Sequence, residues 1–339
     1  MPSGPEALAA HLRWQAGWCD KGGSPLYAYL LERSASDAEV QGPVWDVLEG
    51  LEGEPNGAVL GLRFMAAVHR LVLEETLPEL ARRYPSTGGE GDHDATWPAF
   101  RQALIDRRDE IRRLAQNRCQ TNEVGRSAAL LGGFLEVARR SSLPLRILEV
   151  GASAGLNLRW DRYRYESAHG GWGDPRSPVT FAHSYEVAPP MTQEVEVVER
   201  KGCDLYPVDP TALEGALTLR SAIWADQLGR LALLDGAIEV ARQLPVEVVQ
   251  ADALSFLQRE LARPAKGVAT VVFHSVFMQY VPPDDRRRLR ELIAGAGVYH
   301  LGMEPAESTF EIRLDGELLG TSGPHGSHVR WNVNSTSQT

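Results

Sequence analysis

The apolar positions of this chain change their period once. Over residues 1–143 they recur every three or four residues, the spacing that gathers them on one stripe of a helix. In "TWPAFRQALIDRRDEIRRLAQNRC" (96–119), Phe100, Leu104, Ile111 and Leu114 share a face above Arg, Asp and Glu. Thr96 is placed to cap that helix and Pro98 to sit in its first turn. "GLRFMAAVHRLVLEETLPEL" (61–80) and "GRSAALLGGFLEVARRS" (125–141, with Ala128, Leu131, Leu135 and Ala138) repeat the pattern, so a helical cap domain is expected over 1–143. The polar, glycine-rich "PSTGGEGDHD" (85–94) reads as a surface loop.

From residue 144 the period gives way to short continuous apolar runs: "LRILEVGA" (145–152), "VEVVQADAL" (246–254) and "GVATVVFHSVF" (267–277). Such runs are strands buried on both faces, and their alternation with helical segments predicts a doubly wound, parallel α/β sheet over 144–339. In such a sheet ligands collect beyond the carboxyl ends of the strands. Past residue 297, "VYHLGMEPAESTFEIRLDGELLGTSGPHGSHVRWNV" alternates polar and apolar positions between Gly and Pro turns, which predicts an antiparallel ending.

Composition narrows the function. The 339 residues, 43% hydrophobic, suffice for one large or two ordinary domains, each with its own core. Neither a run of eighteen apolar residues nor a basic and apolar leader occurs, so a cytoplasmic protein with no membrane span is expected. A net charge of −10 argues against gripping a phosphate backbone, and favours a small-molecule substrate over nucleic acid. Arginine supplies the basic side chains apart from Lys21, Lys201 and Lys266. Cys19, Cys119 and Cys203 stand apart with no C-x-x-C pair, so reduced thiols are expected, with neither a disulfide framework nor a zinc knuckle.

Candidate chemistry centres on Gly151-Ala-Ser-Ala-Gly155 at the end of the first strand. As G-x-S-x-G it matches a nucleophile elbow, with Ser153 attacking and Asp252 plus His274 or His325 completing a serine hydrolase triad. That fold needs earlier strands and an oxyanion loop, whereas everything upstream here reads as helix. The alternative starts from Glu149. A strand ending in acid-x-Gly-x-x-x-Gly lets the backbone pass close beneath a nucleoside, because glycine has no Cβ, and turns a carboxylate toward the ligand's cationic end. The G-x-G-x-x-G of NAD-dependent oxidoreductases is missing.

What the segment resembles is the first motif of class I S-adenosylmethionine (SAM)-dependent methyltransferases, usually acid-x-Gly-x-Gly-x-Gly, with Ser153 in place of the middle glycine. "ARQLPVEVVQADALSF" is similar to the segment whose acid, here Asp252 before Ala253, accepts a hydrogen bond from the adenine amine. "ATVVFHSVFMQYVPPDDRRRLRELI" is similar to the next strand, the loop beside the methyl donor and the following helix. Together the matches span about residues 145–300. With "QTNEVGRSAALL" (120–131) and "PHGSHVRW" (324–331), the whole chain is similar to an uncharacterised bacterial family of unknown function. The resemblance implies a Rossmann-like core, SAM as cofactor and methyl transfer to a small-molecule acceptor; binding of SAM without turnover is an alternative. Cofactor contacts would fall to Glu149, Gly151, Ser153, Gly155, Asp252, Ala253 and Ser275. The acid for the ribose hydroxyls comes far later than usual: Asp204 is the candidate, with Asp209 and Glu199 as alternatives. Residues 156–195 are then an insertion, dense in aromatics (Trp160, Tyr163, Tyr165, Trp172, Phe181, Tyr185), serving as a substrate lid or a satellite core.

Other polar residues carry two readings each. His274, following a buried strand, is a general base or a histidine satisfied by its neighbours. Tyr280 and Gln279 shape the methyl-transfer pocket or belong to the core. His325 and His328 lack an identifiable carboxylate partner for a metal, so no metal site is expected. Gln120, Asn122 and Arg126 form a lid in which Arg126 meets the methionine carboxylate, or else Thr121 or Asn122 caps a helix start with Glu123 in its first turn.

Overall fold

A computed structural model describes residues 4–55, 58–118, 120–263 and 265–332. Cys119 lies outside the described residues, and Cys19 and Cys203 are buried free thiols. The chain forms two compact units, one of Met1–Thr121 with Ala212–Ala232, the other of Asn122–Thr211 with Leu233–Thr339.

The first unit is helical: α1 (Pro5–Lys21), α2 (Pro25–Glu39), α3 (Pro43–Leu48), α4 (Leu60–Leu73), α5 (Pro78–Ala81), α6 (His93–Asp106) and α7 (Arg108–Ala115). Its core gathers the apolar stripes, among them Leu12, Leu30, Phe64, Leu71, Phe100, Leu104 and Ile111. Two expected helices are broken in the structure. The 61–80 pattern ends at Leu73, and Glu75 (φ 58°) turns the chain before Pro78 opens α5. Proline's missing N–H is harmless in a first turn but not inside a helix. The 96–119 pattern is two helices separated at Arg107 (φ −124°), and Asp92, not Thr96, is the cap, accepting the Ala95 N–H at 3.1 Å. Pro98 is therefore inside α6 rather than in its first turn.

The second unit is a mixed α/β structure. It contains α8 (Arg126–Ser141), α11 (Ala253–Leu261) and α12 (Pro283–Gly295), whereas α9 (Leu213–Ser221) belongs to the first unit and α10 (Leu228–Gln243) begins there. Its large sheet uses β1 (Leu145–Val150), β5 (Tyr185–Val187), β6 (Val197–Asp204), β7 (Glu247–Gln250), β8 (Ala269–Ser275), β9 (Tyr299–Pro305), β10 (Phe310–Leu314), β11 (Glu317–Ser322) and β12 (Val329–Trp331). Among the described residues these nine strands run in the order β5-β12-β11-β10-β9-β8-β1-β6-β7. From β7 to β9 every pair is parallel; β9, β10, β11 and β12 pair antiparallel, the ending expected from the alternation.

All six residues of β1 are buried, the charged Arg146 and Glu149 among them, as in a strand covered on both faces. Leu148, Val150, Cys203 and Val272 pack with Phe256, Leu257, Leu289 and Ile293 of α11 and α12. On the opposite face Phe134 of α8 meets Phe273 edge-on, their ring centroids 5.1 Å apart. Along the chain the strand order grows from β1 through β6 to β7 on one side and from β8 to β9 on the other. It reverses between β1 and β8, and the crevice at such a reversal is where open α/β sheets take their ligands.

The aromatic insertion builds a small sheet of β2 (Arg164–Ser167), β3 (Gly170–Trp172) and β4 (Thr180–Phe181). Trp160 stacks on Phe134 at 4.3 Å and on Trp172 at 5.2 Å, while Tyr163, Tyr165 and Phe181 are buried, so the insertion is a satellite core beside α8. No helix among the described residues is long and apolar enough to cross a membrane.

Candidate functional site

The carboxyl end of β1 is shaped by three left-handed residues, Gly151 (φ 71°), Ser153 (φ 51°) and Gly155 (φ 66°). Serine there is strained, and Asp204, at the end of neighbouring β6, holds it: Oδ2 accepts the Ser153 N–H at 2.8 Å and Oδ1 the Tyr206 N–H at 2.9 Å. Gly151 is required for packing as well as for its turn. A Cβ there would stand 2.4 Å from Cδ2 of Phe277, whose ring takes the room that sequence reasoning reserved for a nucleoside.

Glu149, two residues earlier, is only 2% exposed, and its Oε2 has no hydrogen-bond partner among the described residues. Burial first, and then the charge of Asp204, raises its carboxyl well above the ordinary range, with Arg159 and Arg126 opposing. Arg126 opens α8; its Nη1 donates to the Ser275 carbonyl at 3.2 Å and its Nε to that of Pro324 at 3.3 Å.

The two polar segments that the sequence singled out, 120–131 and 324–331, lock the turn in place. Asn122 Oδ1 accepts the Leu156 N–H at 2.8 Å, and Ser127 Oγ donates to Asn157 Oδ1 at 2.7 Å. Glu123 Oε1 takes the Gly125 N–H at 3.3 Å, and its Oε2 lies 3.1 Å from His325 Nδ1. Gly125 leaves no space for a side chain, since a Cβ would be 2.1 Å from the His325 carbonyl oxygen.

His274 Nδ1 is 2.7 Å from Glu304 Oε1, and its Nε2 is 3.0 Å from His300 Nε2. The same Glu304 oxygen accepts the N–H groups of Phe277 (2.9 Å) and Met278 (3.0 Å). It thus pins the loop after β8, in which Val276 is forced to φ 53°. These donors outweigh burial and hold the Glu304 carboxyl below its usual range; burial, with His274 and Arg290, lowers His300 to about 3. Both His274 nitrogens are engaged, the arrangement of a histidine satisfied by its neighbours. His300 and Glu304 escaped the sequence reading. Their only signal was spacing: two polar residues four apart on one face of a strand destined to pair with β8.

The remaining candidates scatter. Tyr280 is 61% exposed and Gln279 is exposed too, so neither belongs to the core. Asp252 is exposed and caps α11, Oδ1 taking the Ser255 N–H at 2.9 Å; that bond above all lowers its carboxyl, and Ala253 begins the helix. Ser275 offers its carbonyl to Arg126. Asp209 accepts from the Thr211 N–H and hydroxyl, and Glu199 pairs with Arg146 at 3.1 Å near the amino end of β6, away from the turn. His325 and His328 face different acids, Glu123 and Glu186. The acid beside His274 is Glu304 and the acid beside His325 is Glu123, so Asp252 orients neither, and the Ser153–His–Asp252 relay is not assembled.

Residues 9–333 match a family described as "Uncharacterized protein conserved in bacteria (DUF2332)". The chain belongs to this family. The match spans both units, and the description names no reaction. No curated protein and no solved structure matches the chain.

Proposed function

We propose that the α/β unit of this family member binds SAM at the carboxyl ends of β1, β6 and β8 and directs methyl transfer to a small molecule. The observation that carries this reading is the buried Glu149 oxygen without a donor, set where the strand order reverses. A buried acceptor left unmade is costly, and a ligand bringing a cationic donor would complete it.

The other residues fit such a ligand in part. Each oxygen of Asp204 holds one backbone N–H and keeps a lone pair for a ribose hydroxyl. Asp252 uses Oδ1 for its cap, and its exposed carboxylate suits an adenine amine. Arg126, on the same rim, sets a cation near Glu149 and suits a carboxylate. Phe277 must swing off Gly151 for a ligand to touch that glycine. SAM when bound supplies a methyl group on a sulfonium, already activated for displacement. The protein's work is then to hold both reactants in line and to keep water away, which asks little of acid–base groups.

Calorimetric titration with SAM and with its demethylated product tests the reading. Binding is expected for the wild type, weakened about tenfold or more in Glu149→Gln and less in Asp252→Asn, because exposed contacts contribute less than buried ones. If the wild type binds neither compound, the proposal fails.

A further inference from the structure

A second cleft, of about 570 Å3, opens on the α/β unit. With the turn it shares only Ala154, and with the alternative ribose acids only Asp209. It exists because the chain after β1 makes a short, kinked 3-10 stretch (Asn157–Arg162, with Arg159 at φ −109°, ψ 15°) in place of a long helix. Val248 of β7 is thereby left as part of the lining, with Val246 and Pro207 beside it.

Arg159, which lines this cleft, is 3% exposed. Its Nε donates to the Leu244 carbonyl at 2.8 Å and its Nη1 to that of Gly155 at 2.7 Å, while Nη2 makes no hydrogen bond among the described residues. Among those residues no carboxylate lies within ion-pair distance of it, although Glu149 and Asp209 attract it from further away. A guanidinium taken out of water without an anion is an expensive arrangement. Arg242 lines the same cleft and adds a second positive charge, against the single negative charge of Asp209.

We infer that this cleft is a binding site for a small monocarboxylate with an apolar body. The carboxylate meets Arg159 Nη2 and Arg242, and the valine and proline walls take the hydrocarbon. The volume lies in the range of small-molecule sites, and the excess of one positive charge matches one negative charge better than the two or more of a phosphate ester. The inference does not rest on the methyl-transfer reading, since Glu149 is not in the cleft.

The experiment is a titration of the full chain with benzoate, using benzamide as the uncharged analogue and inorganic phosphate as the anion without a body. Saturable benzoate binding is expected, with benzamide and phosphate each about tenfold weaker or undetectable. Arg242→Gln, at an exposed position, and Arg159→Met should each weaken benzoate about tenfold or more. Val246→Trp, which fills the cleft and leaves both arginines in place, should abolish binding. Absence of saturable benzoate binding up to about 10 mM, equal affinity for benzamide, or binding that survives Val246→Trp would each overturn the inference. Because Arg159 also ties Leu244 and Gly155 and its variant could misfold, Arg242→Gln and Val246→Trp carry the test independently.

Discussion

Glu149 is held in a protonated-leaning state by its burial and by Asp204. A cationic ligand placed against it would favour the charged form and lower its pKa, so binding should expel a proton. SAM titrations near neutral pH, repeated in buffers of different ionisation heat, should show up to one proton released by the wild type and none by Glu149→Gln. Equal uptake or release in both proteins would assign the effect to another group. Sequence reasoning found this residue because an acid two positions before a glycine turn is a local pattern. It could not see that Phe277, far along the chain, fills the space above Gly151. Likewise it gave His274 two readings, and only the pairing of β8 with β9 brings Glu304 and His300 onto its ring.

The ends of β8 and β9 are held by one carboxylate oxygen. Glu304→Gln should weaken its contacts to His274, Phe277 and Met278 and cost about 1–3 kcal/mol in urea unfolding, as for a half-buried charge-assisted network. If Glu304 carried no such role, the cost would fall within about 0.5 kcal/mol, the range of surface changes. At the start of α8 the constraint is steric. Gly125→Ala places a methyl group against the His325 carbonyl and should destabilise by about 1–3 kcal/mol, although alanine is otherwise the better helix former. Elements with a strong period or a continuous apolar run, such as α8 and β1, were legible in advance. Their exact ends were not: Pro78, Arg107 and the Asp92 cap reset helix boundaries through local backbone geometry that the apolar stripe does not encode.

Acid should destabilise the whole molecule through buried histidines as well as carboxylates. His69 of α4 sits between the Ser221 carbonyl (3.2 Å) and Ser86 Oγ (2.9 Å), and burial lowers its pKa from 6.5 to about 4. The unfolded chain therefore takes a proton first. This stability is intact above pH 6.5 and drains away as pH falls toward 4, at up to about 1.4 kcal/mol per pH unit. His300 acts in the same direction down to about 3, and Glu304 below the ordinary carboxylate range, whereas Glu149, with its raised pKa, opposes them. In urea unfolding from pH 7 to pH 4, the stability advantage of wild type over His69→Gln should shrink steadily. A constant difference would mean that His69 is not the group titrating.

Read alone, the chain determined where helical period yields to buried parallel strands, which acid precedes the glycine turn, and that the sheet ends antiparallel. Those are properties of neighbours in sequence, written by side-chain period and by the backbone freedom of glycine. Tertiary structure decided the rest. Pairing of β1 with β6 set Asp204 on the Ser153 amide, β8 beside β9 joined His274 to Glu304, and the packing of Glu149 left one of its oxygens without a donor. Strand register and desolvation arise between residues distant in sequence, and no local pattern records them.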